Sequence, residues 1–188
     1  SDETHYRVGS DHCGGSYHKE GDCINREHSI PQSWFNKASP MRSDAFQVVP
    51  TDGYVNNQRG NYPFGEVKNA KYTSLSGCKR GSSSISGYSG TVFEPMDKYK
   101  GDFARIYFYF VTCYEDRMSS WSLSGTNLSS SSASGLTSWS KTMFLNWASE
   151  DPISTKETKR NDAVERHQHN RNPYVDVPGL AEYIFGNL

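Results

Sequence analysis

The stretch Asn25-Arg26-Glu27-His28-Ser29-Ile30-Pro31 narrows the folds open to this chain, because it sets a carboxylate and an imidazole side by side just ahead of a proline. Neighbouring side chains of a regular strand point to opposite faces, so Glu27 and His28 can serve one site only where regular pairing ends or twists. Pro31 supplies a reason for that end, since it cannot donate to a sheet ladder and restricts the residue before it. A second β-prone run, Phe46-Gln47-Val48-Val49-Pro50, is also closed by proline. Asp52 then stands as the N-cap of a brief helix that Gly60 closes, with Asn56 and Arg59 three apart on one face. The expected local order is strand, long loop, strand, short helix.

These residue types fit the hydrolysis of a phosphodiester. That reaction needs an activated water, an ion that offsets charge on the phosphoryl oxygens, and cations that hold the backbone in line. His28 suits the first task, because an imidazole titrates near neutrality and can take a proton from water provided its other nitrogen is held by a carbonyl or carboxylate. Glu27 and Asn56 suit the second as hard oxygen donors for magnesium, which asks for only one or two protein ligands. Arg59 and Arg171 are the cations chosen to steady phosphate. Taken singly, each residue has a plainer reading: a His beside a Glu is most often a surface pair, an Asn at a helix start a cap, and an arginine a solvated charge. Trp34 reads more readily as core than as a stacking platform, and His167 and His169, two apart, do not share a helix face.

Composition sets limits on this reading. At 188 residues one domain spanning 1–188 is the expectation. Hydrophobic residues make up only 34% while aromatics reach 13%, so much of the core must be built from rings. No apolar run is long enough for a transmembrane helix. A formal net charge of −1 argues against a broad basic surface for nucleic acid, leaving a local positive groove and the ion's own charge as the source of attraction. Of the four cysteines, Cys13 and Cys23 flank a Gly-rich segment just before the Glu-His pair, where a bridge would brace it; Cys78 with Cys113 is the weaker pairing. Their spacing disfavours a zinc cluster and none sits in an activating motif. A bridge implies an oxidising compartment, and the sequence opens without a charged and apolar leader, so export is inferred with any signal either already removed or left out of this chain.

Elsewhere, residues 1–21 read as irregular with one short strand, and 77–90 as a Ser/Gly loop or hairpin. Asp102 to Tyr114 is the most hydrophobic stretch, and its length with Asp102 as N-cap favours a helix over a strand. The Ser-rich segment 119–140 reads as a surface excursion, although Trp121, Leu123, Leu128 and Leu136 punctuate it. A helix is expected around Met143–Ala148. Ser154-Thr155-Lys156-Glu157 is a capping box opening a helix to about His167, and 176–185 a last short helix.

Asp22-Cys23-Ile24-Asn25-Arg26-Glu27-His28-Ser29-Ile30-Pro31, followed by Ser43-Asp44-Ala45-Phe46-Gln47-Val48-Val49-Pro50-Thr51-Asp52-Gly53-Tyr54-Val55-Asn56, resembles the bacterial endonuclease I family. Arg59-Gly60-Asn61-Tyr62-Pro63-Phe64-Gly65, Val92-Phe93-Glu94-Pro95, Lys100-Gly101-Asp102-Phe103-Ala104-Arg105 and Asn170-Arg171-Asn172-Pro173-Tyr174-Val175-Asp176 are similar to later blocks in the same order. The resemblance implies an α+β fold, a ββα-metal (His-Me finger) core elaborated with helices and long loops. It implies sequence-nonspecific cleavage of DNA, with RNA left open, outside the cytoplasm. It puts the general base on His28 and the metal ligands on Glu27 and Asn56; the phosphate-stabilising arginine aligns less cleanly, so Arg59 is a geometric choice and Arg171 a second candidate. Many relatives carry His or Leu where Ala45 and Phe46 stand, and a helical segment before the first cysteine that is shortened or missing here, which raises the expectation of an absent N-terminal fragment.

The combined expectation is a secreted or periplasmic, monomeric, magnesium-dependent endonuclease, with manganese or calcium as alternative ions, acting on nucleic acid and not on membranes. The rival is a noncatalytic secreted module that binds a glycan or protein through its aromatics and Ser/Gly loops.

Overall fold

The computed structural model describes residues 6–7, 9–14 and 17–187. The mixed α+β chain starts with β1 (Ile24–His28), a long connection carrying two 3-10 turns, β2 (Val48–Asp52) and helix α1 (Gly53–Arg59). β1 and β2 pair antiparallel, with Glu27 opposite Val49 and His28 opposite Val48. The strand runs through Pro50 instead of stopping there, as a two-stranded ribbon is all edge and an edge tolerates a residue without an N–H. Asp52 caps α1 by accepting from the N–H groups of Tyr54 and Val55, and Gly60 follows its last turn at φ +54°.

What precedes β1 is held by the bridge expected between Cys13 and Cys23. The bridge packs on the first turn of α1: a Cβ placed on Gly53 would come within 2.5 Å of the Cys13 Sγ, so only glycine allows this approach. The ribbon, its helix and the segment before them are thereby clamped together. Of the region 1–21, residues 1–5, 8, 15 and 16 lie outside the described residues. The rest is irregular, with a single bridge from His12 to Ile24 in place of a strand. Cys78 and Cys113 are thiols, not a second bridge.

A second antiparallel sheet, β3 (Val67–Thr73), β4 (Lys79–Ser83) and β5 (Thr91–Glu94), follows in sequence order. The 77–90 region is thus half strand and half hairpin connection. Helix α2 (Lys100–Tyr114) is the centre of the molecule. It begins two residues before Asp102, which sits in its first turn, where a carboxylate complements the helix dipole. Apolar residues surround it, as expected of a helix buried on all sides: Phe103, Tyr107, Phe108 and Phe110 are buried against rings of Phe35, Phe64, Phe144 and Phe185. Helices α3 (Ser138–Glu150), α4 (Thr155–Gln168), α5 (Pro173–Asp176) and α6 (Leu180–Phe185) complete the chain. The capping box at Ser154 and Glu157 opens α4 as read from the sequence. Glu157 also receives two hydrogen bonds of 2.7 Å from buried Arg105, tying α4 to α2. The final helix is two short ones, because Gly179 at φ +81° separates them.

The Ser-rich segment does not stay on the surface. Leu128 and Leu136 bridge each other and are buried, and so is the neighbouring Asn127, which has no exposed area. Its amide accepts from the Phe64 N–H and donates to the Phe64 carbonyl, both at 3.0 Å. No helix among the described residues is long and apolar enough to cross a membrane.

Candidate active site

β1 ends at His28, which resolves the problem of two adjacent side chains. Glu27 points inward and is buried, whereas His28 is half-buried at the strand end. The Glu27 carboxylate meets α1: its Oε1 accepts from Nη1 of Arg59, and the same guanidinium donates to the carbonyls of His28 (2.8 Å) and Ser29 (2.7 Å). Arg59 is itself buried and lies 4.7 Å over the Phe64 ring. Asn127, Phe64, Arg59 and Glu27 therefore form one continuous stack from the Ser-rich segment to the strand.

Asn56, one turn earlier on α1, donates its Nδ2 to the Arg26 carbonyl at 3.3 Å. A carbonyl can only accept, so the amide is oriented and Oδ1 is left over. Glu27 likewise keeps Oε2, which receives no hydrogen bond from any described residue. Glu27, Asn56 and Arg59 border one small cavity of about 10 Å³ with Thr51, Val55 and Phe64, room for about one water or ion. Burial pushes the Glu27 carboxyl up to about 7, with Arg59 the largest opposing influence.

The His28 ring does not line that cavity. Its Nε2 lies 3.0 Å from the Arg42 carbonyl and its Nδ1 3.2 Å from Nε2 of Gln32. The carbonyl obliges Nε2 to carry the proton, so Nδ1 keeps its lone pair and accepts from the Gln32 amide. Burial lowers the pKa of the ring below its ordinary value, so it is neutral at pH 7. This is the tautomer a general base needs.

Both arginines are committed to carboxylates, Arg59 inside the protein and Arg171 near its surface. Arg59 is spent on Glu27 and two carbonyls. Arg171 is held by Asp162 (3.0 Å), Glu165 (2.6 Å) and Asp176 (2.7 Å) around α4 and α5, and no contact joins it to Glu27, His28 or Asn56. Sequence reading missed Gln32 and Arg42. Gln32 follows Pro31 in a 3-10 turn that carries no periodic signal, and Arg42 acts through its main chain from fourteen residues away, which no side-chain pattern encodes.

Among the described residues no cluster of three or more His, Cys, Asp or Glu could hold a metal. One carboxylate and one amide oxygen suit a hard cation that keeps most of its water, magnesium above all, and would be too few and too hard for zinc.

A sequence profile described as Endonuclease I matches residues 1–179. The chain is 33% identical over 164 residues to an extracellular ribonuclease of Bacillus amyloliquefaciens, covering 86% of this chain and 53% of that protein. Against the extracellular ribonuclease of Bacillus subtilis (strain 168) the identity is 32%, over 86% of this chain and 54% of that one. An Endonuclease-1 of Buchnera aphidicola subsp. Baizongia pistaciae (strain Bp) is 24% identical over 72% of this chain and 46% of its own length. The chain thus spans about half the length of these curated relatives. A match that runs through both sheets and all but the last helix places the whole ribbon, α1 and α2 within one family pattern: this chain belongs to the endonuclease I family.

Proposed function

We propose that this chain is a metal-dependent endonuclease domain, spanning 1–188, that hydrolyses phosphodiester bonds of DNA and RNA without sequence preference and works outside the cytoplasm as a monomer. β1, β2 and α1 are read as its ββα-metal core. Both extracellular ribonuclease relatives support RNA as a substrate and export as a setting; the Cys13–Cys23 bridge favours the latter as well.

The observation that carries the reading is a set of acceptor atoms at the ribbon's end: Glu27 Oε2 and Asn56 Oδ1, which take no hydrogen bond from a described residue, and beside them His28 Nδ1, whose one partner is the Gln32 amide. Glu27 and Asn56 would hold the cation, with Arg59 fixing the carboxylate by its ion pair. A bound magnesium supplies Lewis acidity and offsets the charge on the phosphate and its departing oxygen. His28 takes a proton from water at Nδ1 while the Arg42 carbonyl keeps Nε2 protonated and the ring in place. Gln32 occupies that lone pair and must yield it to water; its amide oxygen can then accept from the imidazolium. In this reading Arg59 orients the metal ligand and does not reach phosphate.

Incubating the protein with supercoiled plasmid and with single-stranded RNA, in magnesium with and without EDTA, tests this. Nicking and degradation that EDTA stops are expected. Both polymers left intact under magnesium and under manganese would favour a binding module instead.

A further inference from the structure

With Arg59 and Arg171 consumed by carboxylates, the charge that meets a phosphodiester must come from elsewhere. We propose that Arg26 and Arg42 form a phosphate-binding clamp on either side of His28, which grips the nucleic-acid backbone flanking the bond to be cut. This rests on the nuclease reading above and names the substrate contacts of that same site.

Arg26 precedes His28 by two positions in β1, so the two side chains leave the same face of the ribbon. Arg42 approaches from the connection between β1 and β2, where its carbonyl already holds the His28 ring. It is fixed there by a 3-10 turn, Met41–Ser43, whose first residue is buried, and by its own N–H on the Ala38 carbonyl at 3.1 Å. Both side chains are exposed. Among the described residues neither guanidinium takes part in a hydrogen bond or an ion pair, unlike Arg59, Arg105 and Arg171. Both are near enough that their charges bear on the imidazole, adding to the effect of its burial.

Two uncommitted guanidiniums, each with its charge felt at one imidazole, repel each other and are favoured once anions lie between them. A guanidinium fork matches phosphate oxygens in geometry as well as charge. The Asn56 amide bonds to the Arg26 carbonyl, so the candidate cation ligand and one arm of the clamp are set by the same peptide. Local charge of this kind also accounts for a chain that is −1 overall and yet addresses a polyanion.

The test compares wild type with Arg26→Ala, Arg42→Ala, the double variant and Arg166→Ala, an exposed arginine on α4 that serves as control. Binding of a labelled phosphorothioate oligonucleotide is followed by fluorescence anisotropy over a salt series, and cleavage of plasmid and RNA by KM and kcat. Circular dichroism melting checks that each variant is folded. The expected result is a weakening on the order of ten-fold in Kd and KM for each single variant, with kcat within about two-fold, and a fall of about 0.7 to 1 in the salt slope per arginine. Arg26→Lys and Arg42→Lys should recover part of the affinity. Unchanged Kd and slope in both alanine variants, or losses equal to those of Arg166→Ala, overturn the clamp, as does a wild type that does not bind the oligonucleotide. A wild type that binds with these arginine dependences yet cleaves neither polymer contradicts the nuclease reading and leaves the clamp standing.

Discussion

Replacing Arg59 with methionine should destabilise the protein by about 3–5 kcal/mol. At about 2–4 °C per kcal/mol for a chain of this size, melting falls by about 6–20 °C. The guanidinium is buried and serves three acceptors at once: the Glu27 carboxylate and the carbonyls of His28 and Ser29. Methionine fills the space against Phe64 but donates nothing, so a carboxylate is left buried without a counter-charge. The loss depends on pH in a definite direction. Glu27 already has its folded pKa raised from 4.5 to about 7 by burial, and removing Arg59 raises it further. Below about pH 7 Glu27 is largely protonated in both folded proteins, so the variant is nearest to wild type there and falls away as pH rises above 7, where wild type can ionise against Arg59 and the variant cannot. The double variant Glu27→Gln with Arg59→Met should recover much of the loss, since no buried charge remains. Chemical denaturation at two pH values measures both effects. Equal destabilisation well below and well above pH 7 would show that the lost contact is packing and not charge.

The second large effect is on turnover. His28→Ala should lower kcat on the order of 10²- to 10⁴-fold, the usual contribution of a positioned general base. The half-buried ring lies outside the cavity bordered by Glu27 and Asn56, so the cation affinity should be unchanged. Stability should drop by only about 1 kcal/mol for its hydrogen bonds to Gln32 and Arg42. For wild type the ring is held below its ordinary pKa by burial; it therefore stays unprotonated to lower pH than a free histidine, and its own loss of activity on acidification lies below about pH 6.5. Isothermal titration with manganese, beside steady-state cleavage, separates the two roles. Loss of cation binding together with kcat would make His28 a ligand, and full activity would remove it from the chemistry.

Much of the site's local frame could be read from sequence, because it is written in residues with short-range consequences. Asp52 and Gly60 mark the two ends of α1, Ser154 and Glu157 open α4, and a bridge between Cys13 and Cys23 closes a loop of neighbours. The length of the apolar run around Phe103 to Val111 distinguished helix from strand. What escaped depends on contacts distant in sequence. Arg59 looks like any cation on a helix face, and only its burial against Glu27, thirty-two residues away, shows that it is an internal counter-charge. β3 and β4 are rich in Lys, Ser and Asn, with little alternation to mark a strand, and are held by pairing instead. The Ser-rich segment turns inward through Asn127, whose amide satisfies the main chain of Phe64 beneath Arg59. A polar residue that completes another segment's backbone leaves no hydrophobic signature.

Anomalous scattering from crystals of the protein grown with manganese and a phosphorothioate oligonucleotide would test the metal assignment on which the catalytic reading stands. A single strong peak is expected at about 2.0–2.6 Å from both Glu27 Oε2 and Asn56 Oδ1, with Arg59 still on Oε1. A fully occupied peak elsewhere in the chain, or substrate bound with those two oxygens unligated, would contradict it.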